Sequence, residues 1–127
     1  MAVPNAYGQY NNSKILTASP AELTLMLYEG AIKFCNIAIM AVENKDVEKA
    51  HVHIRKVERI IDYLRQTLDM KYPVAQDFER VYSYLSQRLI EANLKKEKDI
   101  LEEVNGHLRT MRDTWKEVMK RGRDQGA

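Results

Sequence analysis

The chain has 127 residues, a formal net charge of +2, 45% hydrophobic and 30% charged residues, and a single cysteine. That length buries the core of one domain without covalent staples, and the charge is too small to argue for nucleic acid or an anionic membrane as partner. One cysteine cannot close an intrachain disulfide, which fits a reducing compartment.

Residues 1–18 read as an N-terminal arm. Pro4, Asn5, Gly8, Asn11 and Asn12 break any periodicity, while Tyr7, Tyr10, Ile15 and Leu16 give the arm apolar and amphipathic side chains. Met1 is followed by no basic stretch leading into an apolar run, so no signal peptide is read. A first helix then starts with a clear signal. Ser19 is placed as N-cap, Pro20 takes the first helical position where no backbone donor is needed, and Glu22 completes an S-x-x-E capping box. This helix is expected to run to about Glu43 and to stop at the polar turn Asn44-Lys45-Asp46, with Asp46 capping the next helix. Its most apolar part, Leu23 to Val42, is interrupted by Thr24, Glu29, Lys33 and Asn36 and is not expected to span a bilayer. The protein is accordingly read as cytoplasmic, with no membrane insertion.

The second helix is the cleanest periodic segment. Val47, Ala50, Ile54, Val57, Ile61, Leu64 and Leu68 alternate steps of three and four, the spacing of a narrow bundle seam. Pro73 ends whatever precedes it. The third helix places Phe78, Val81, Tyr82, Leu85, Leu89 and Ala92 on one side, and Lys95 to Lys98 form the next turn. A second capping-box pattern, Asp99-x-x-Glu102, opens the fourth helix, whose seam is Leu101, Val104, Leu108, Met111, Trp115 and Val118. Four helices joined by short turns imply antiparallel neighbours, hence an all-α, up-down-up-down four-helix bundle over residues 19–121. Residues 122–127 are left as a flexible tail. The basic residues near that end (Lys116, Lys120, Arg121, Arg123) are diluted by Glu117 and Asp124 and read as a solvated terminus.

Chemistry finds little support in this pattern. A di-iron bundle needs two Glu-x-x-His pairs pointing inward; Glu48 and His51 make one such pair, but they lie about 160° and about 100° from the seam at 100° per residue, and no second pair exists. His53 sits about 60° off the seam beside Arg55 and Lys56, which leaves a histidine phosphotransfer module as the alternative function. The small neighbour that a docking acidic loop needs is replaced there by Val57. Cys35 has no histidine within a turn to activate it and reads as packing. His107 has no carboxylate pair placed to tune it. No serine or threonine nucleophile motif and no glycine-rich phosphate loop is present, so neither catalysis nor a cofactor is expected.

The first helix departs from the other three in one respect. Its apolar residues spread over about 240° of the helical wheel, against the ~100° stripe of a surface helix. Such a helix has to be covered on two sides. Either it lies deep between two neighbours, or part of its face is a groove covered by the aromatic arm when idle and by a partner when engaged. Gly30 in its middle costs about 1 kcal/mol relative to alanine, which a closely passing backbone would explain.

At this point the residues resemble a known family. The run from Thr17 to Gly30 (TASPAELTLMLYEG), Tyr82-x-Tyr84-Leu85-x-x-Arg88-Leu89-Ile90-Glu91-Ala92-Asn93, Leu101-Glu102-Glu103-Val104 through Arg112-Asp113-Thr114-Trp115-Lys116, and Asn5-x-Tyr7-x-x-Tyr10 together resemble the flagellin export chaperones known as FliS. The similarity covers about residues 5–120. It implies a small cytosolic helical bundle without enzymatic activity or cofactor. Such chaperones bind the C-terminal segment of newly made flagellin, which is disordered in the monomer, keep it from polymerising early, and commonly also meet the cytoplasmic domain of the flagellar export gate. Carried onto this chain, the resemblance makes Tyr7 and Tyr10 the arm, Leu23, Leu27, Tyr28 and Gly30 the groove, and Arg88 and Asn93 part of a polar patch. Asn93 has the competing reading of a helix C-cap and Trp115 that of a core residue.

Overall fold

The computed structural model describes residues 18–126, the side chains as far as Gly122, and these residues form four helices: α1 (Pro20–Glu43), α2 (Val47–Gln66), α3 (Val74–Lys95) and α4 (Lys98–Gly126). Residues 1–17, and with them Tyr7 and Tyr10, lie outside the described part. The start of α1 follows its sequence signal: Ser19 Oγ accepts from Glu22 N at 3.1 Å, and Glu22 Oε1 accepts from Ser19 N at 2.9 Å. Asp46 caps α2 by accepting from Lys49 N at 3.1 Å. The tight connections α1–α2 and α3–α4 each turn through a lysine in the left-handed region, Lys45 at φ 60° and Lys96 at φ 52°, a position more often filled by glycine or asparagine.

Cross-helix side-chain pairs establish the topology. Phe34 and His53 meet between α1 and α2, with ring centroids 6.1 Å apart. Arg65–Glu79 and His51–Asn93 join α2 to α3. Arg88–Glu103 joins α3 to α4, and Asn36–Asn105 together with Glu43–Lys98 joins α4 back to α1. In each case the pair number rises on one helix as it falls on the other, so all four neighbouring pairs are antiparallel. The ring closes with α1 between α2 and α4, an up-down-up-down bundle.

The seams are buried where expected through the middle of the bundle. Ile54, Val57, Ile61, Leu85, Leu89, Leu101, Val104 and Leu108 are fully enclosed. Three seam assignments fail: Val47, Val81 and Val118 are exposed, Val47 because it opens α2 at the bundle's rim, Val81 in the N-terminal half of α3 and Val118 in the last third of the 29-residue α4. Nor does Asp99 cap α4. The helix already begins at Lys98, since the left-handed turn at Lys96 leaves only Lys96 and Glu97 between the two helices, and Asp99 falls inside the first turn. There its carboxylate still opposes the positive end of the helix dipole. The α4 backbone continues as helix to Gly126, past the expected end at Arg121.

α1 is covered on both sides, by α2 and by α4. Its innermost line is made of small residues, Ala31, Cys35 and Ala38, none of them exposed, and this lets both neighbours approach closely. By length and composition alone α1 would suffice to cross a membrane, contrary to the expectation drawn from its polar interruptions; in the bundle, its apolar surface packs against protein. Across the core diagonal, the Tyr28 hydroxyl from α1 meets the Tyr82 hydroxyl from α3 at 2.6 Å, with both rings 3% exposed.

Removing one hydroxyl of that pair leaves the other buried without a partner, at a cost of about 1–3 kcal/mol. Urea unfolding of Tyr28→Phe and Tyr82→Phe is expected to show a loss of this size for each, with the double variant losing clearly less than the sum. Additive losses would show that the two hydroxyls do not depend on each other.

Candidate functional site

The α3–α4 interface has two unlike halves. Where the C-terminal half of α3 meets the N-terminal half of α4, charges close it. Arg88 Nε donates to Glu103 at 2.9 Å, the Tyr84 hydroxyl donates to the same carboxylate, and Glu91 binds both Arg88 and Lys95. The Tyr84 hydroxyl, and after it Arg88, hold the Glu103 carboxyl below its ordinary range. At the opposite half no such pair exists among the described residues, and an apolar cavity of about 380 Å³ opens instead.

This groove is walled by Val74, Phe78 and Val81 of α3 and by Met111, Thr114, Trp115 and Val118 of α4, with Thr110 at its margin and Tyr28 of α1 on its floor. Each wall follows from the sequence. Phe78 stacks on Tyr82, with centroids 6.3 Å apart, and continues the α3 seam toward its N-terminus. Trp115 and Met111 continue the α4 seam but are only partly covered. The Trp115 indole is fixed by donating from Nε1 to the Ala21 carbonyl at 2.9 Å. The first turn of α1, where the described chain begins, is therefore tied to the groove's rim. Val74 at 53%, Val118 at 48% and Val81 at 36% leave apolar surface to solvent in one place, the arrangement of a binding groove rather than of scattered surface residues.

The residues singled out from the sequence are distributed unevenly around this groove. Tyr28 reaches it from below. Leu27 is half-buried and packs on the core, and Leu23 is likewise half-buried. Gly30 faces α2: a Cβ there would lie 3.7 Å from Ile60 Cδ1, so its neighbour is a side chain of this chain and not a passing backbone. Arg88 belongs to the charged clamp. Asn93 lies away from it on the α2–α3 side, where its Nδ2 donates to His51 Nδ1 at 2.9 Å and Lys96 Nζ binds its Oδ1 at 2.8 Å. Asn93 does not cap α3; Lys96 does. It lines a more polar recess with His51, Arg55, Glu58, Ile90 and Leu94. Arg88 and Asn93 thus do not form one patch. Of the groove walls, Phe78, Val81, Met111, Trp115 and Val118 were assigned to seams in the sequence, while Val74 and Thr114 were not; helical spacing reports which side faces inward and carries no sign of where that side is left open.

The remaining chemical candidates are engaged structurally. His53 Nδ1 donates to the Lys49 carbonyl at 2.9 Å, and its ring lies against Phe34. Among the described residues no group of three His, Cys, Asp or Glu side chains comes together as metal ligands. Cys35 is enclosed and donates to the Leu101 carbonyl at 3.4 Å, and burial pushes its thiol from 9.0 up to about 12, only partly opposed by Arg109.

A profile of the family described as "Flagellar protein FliS" matches residues 3–122. The "Flagellar secretion chaperone FliS" of Bacillus subtilis (strain 168) is 38% identical over 120 residues, 94% of this chain and 90% of that protein. Proteins of the same description from Salmonella typhimurium and Escherichia coli are each 32% identical, over 117 and 118 residues, covering 89% and 90% of this chain and 87% of each relative. A solved structure titled "Crystal structure of flagellar chaperone from bacteria" superposes with a TM-score of 0.75 at 18% identity over 91% of this chain and 96% of that one, which bears on the fold alone.

The buried thiol gives a pH prediction. Its folded value is raised, so its contribution to stability is intact below about pH 9 and is lost as pH rises toward 12. Tyr28 and Tyr82, both raised from 10.0 by burial, add to this loss above pH 10. The urea midpoint is expected to fall steadily from pH 9 upward, and Cys35 to react with a thiol reagent at pH 8 only after unfolding. A flat midpoint to pH 11, or labelling of the native protein, would contradict the assignment.

Proposed function

The chain belongs to the FliS family of flagellar secretion chaperones, and from that premise we propose that it holds the C-terminal segment of newly made flagellin in the cytoplasm, blocks its early polymerisation, and passes it to the cytoplasmic domain of the flagellar export gate. The observation that carries this reading is the open apolar groove between α3 and α4. An amphipathic guest segment finds there an apolar floor and walls on rigid helices. Seating four guest side chains of Leu or Val size contributes roughly 6–12 kcal/mol gross. Ordering a disordered guest offsets several kcal/mol of that, which leaves these contacts alone at about millimolar to micromolar strength. That range suits a chaperone that must both hold and release.

The arm completes the proposal. Tyr7 and Tyr10 precede Ala21, whose carbonyl is bound by Trp115 at the groove's rim, and the nine residues from Tyr10 to Ala18, ahead of the cap at Ser19, would reach up to about 30 Å if extended. The arm therefore has the length to compete with the guest for the groove. Leu23 and Leu27, half-buried on the adjoining face of α1, extend the apolar contact, and the Arg88 clamp borders the far end of the same helix pair.

Exposed walls are the positions to test, since Tyr28 is part of the core and a charge there would act on folding. Val81→Glu and Val118→Glu are expected to keep the helical circular dichroism of the parent while weakening co-elution with monomeric flagellin on size exclusion by about tenfold or more. Binding unchanged in both folded variants would remove the groove from the proposal.

A further inference from the structure

Leu94 is 82% exposed in the last turn of α3, and Ile90, one turn before it, is 53% exposed. Both lie off the buried line of Tyr82, Leu85, Leu89 and Ala92, so the core gives no reason for an apolar side chain at either position. Against them opens the recess at Asn93, about 380 Å³ in volume, whose other wall is His51, Arg55 and Glu58 of α2. A protruding leucine and a hollow therefore stand side by side on the α2–α3 face.

This face is separate from the apolar groove. The groove uses the N-terminal part of α3 and the recess its C-terminal end; the step of nine residues from Val81 to Ile90 covers about 13 Å of helix. Its charges are of both signs. Glu58, 8% exposed, accepts from Arg55 at 2.8 Å. Lys96, at the rim, donates to the two oxygens of Asn93 and meets no carboxylate among the described residues. Glu48, one turn before His51 on α2, is exposed and meets no cation there.

An isologous contact needs a surface that complements itself. A projection must lie beside a hollow, and cations must find carboxylates once the face is turned about a two-fold axis; a face of one sign would repel its own copy. The α2–α3 face meets both conditions. It is also large enough. The 20 residues of α2 run about 30 Å, and two helices abreast are about 20 Å wide. That gives roughly 600 Å² in plan, and more once the relief of the side chains is counted, against the ~800 Å² that each partner contributes to a standard interface.

We propose that the chain pairs with a second copy of itself through the α2–α3 face. Each Leu94 seats in the Asn93 recess of the other copy, Ile90 flanks the contact, and each Lys96 turns toward Glu48 of the partner subunit. The Arg55–Glu58 pair enters the interface already formed, so little uncompensated charge is buried with it. The α3–α4 groove stays open in both copies. Pairing is thus independent of the chaperone reading above.

Sedimentation velocity of the full chain from about 5 to about 200 μM is expected to show a monomer–dimer equilibrium. Leu94→Glu and Ile90→Glu are each expected to weaken it about tenfold or more. At low protein concentration, where pairing adds no stability, both variants are expected to keep the parent's unfolding temperature. Their affinity for monomeric flagellin is expected to stay within about twofold of the parent's, and Val81→Glu, in the groove, is expected to leave the dimer intact. A parent that remains monomeric across the range overturns the proposal, as does a dimer that survives both α3 substitutions or one that Val81→Glu dissolves. Weakened flagellin binding in Leu94→Glu and Ile90→Glu with self-association unchanged assigns the face to the guest and overturns it too. Should the parent fail to bind flagellin at all, the chaperone reading falls, and the sedimentation data still decide the dimer.

Discussion

An apolar helix that can leave no side bare is the constraint from which the rest of this bundle follows. α1 carries apolar residues around most of its circumference, so one neighbour cannot cover it. α2 covers one flank through the three-residue turn Asn44–Asp46, and α4 has to return to the other. The centre line of Ala31, Cys35 and Ala38 makes this possible, since small side chains bring both neighbours close and leave the volume to Ile54, Leu89 and Leu101. α3, diagonally opposite, reaches α1 through the Tyr28–Tyr82 hydroxyl pair. This hydrogen bond satisfies two hydroxyls that would otherwise be stranded in the core.

Local signals were the most legible part of the sequence. The Ser19–Glu22 box and the Asp46 cap act within one turn, and nothing distant competes with them, so both appear where the residues placed them. Seam positions were legible in the middle of each helix, where all four helices run alongside. They failed at Val47, Val81 and Val118, which carry the right spacing but stay exposed. The excess apolar surface of α1 was visible, but its distribution was not. Spacing cannot tell a face covered by two helices from one kept open for a guest, and most of the surplus went to packing. The groove came instead from α3 and α4, which looked ordinary on the wheel. Gly30 and Gly106 show the same limit. Both are mid-helix glycines, and only the structure separates the one beside Ile60 from the one facing open space.

The two halves of the α3–α4 interface divide holding from opening. The Tyr84–Arg88–Glu103–Glu91–Lys95 network ties the helices where their connection is shortest. Exposed ion pairs contribute little one at a time, yet here Glu103 accepts from both Tyr84 and Arg88, which fixes the register of the two helices more than it adds stability. The other half has no such pair among the described residues and leaves Phe78, Met111 and Trp115 only partly buried around the cavity, while the core beneath stays closed. A groove framed in this way presents apolar surface without unfolding, so little of a guest's binding energy is spent on reshaping the host.

The same framing gathers apolar surface at one concave place. Elsewhere its exposed apolar side chains, such as Met40, Val52 and Tyr63, are dispersed on different helices or different faces, and single exposed apolar residues of this kind are tolerated on any protein surface. They adjoin around the groove, and at Ile90 and Leu94 beside the more polar recess at Asn93. An attractive patch confined to one concave site favours a narrow, extended or helical guest over the convex surface of another bundle. Concavity therefore provides a selectivity that composition cannot, and it depends on one half of the α3–α4 interface being tied by charges while the other holds an apolar cavity.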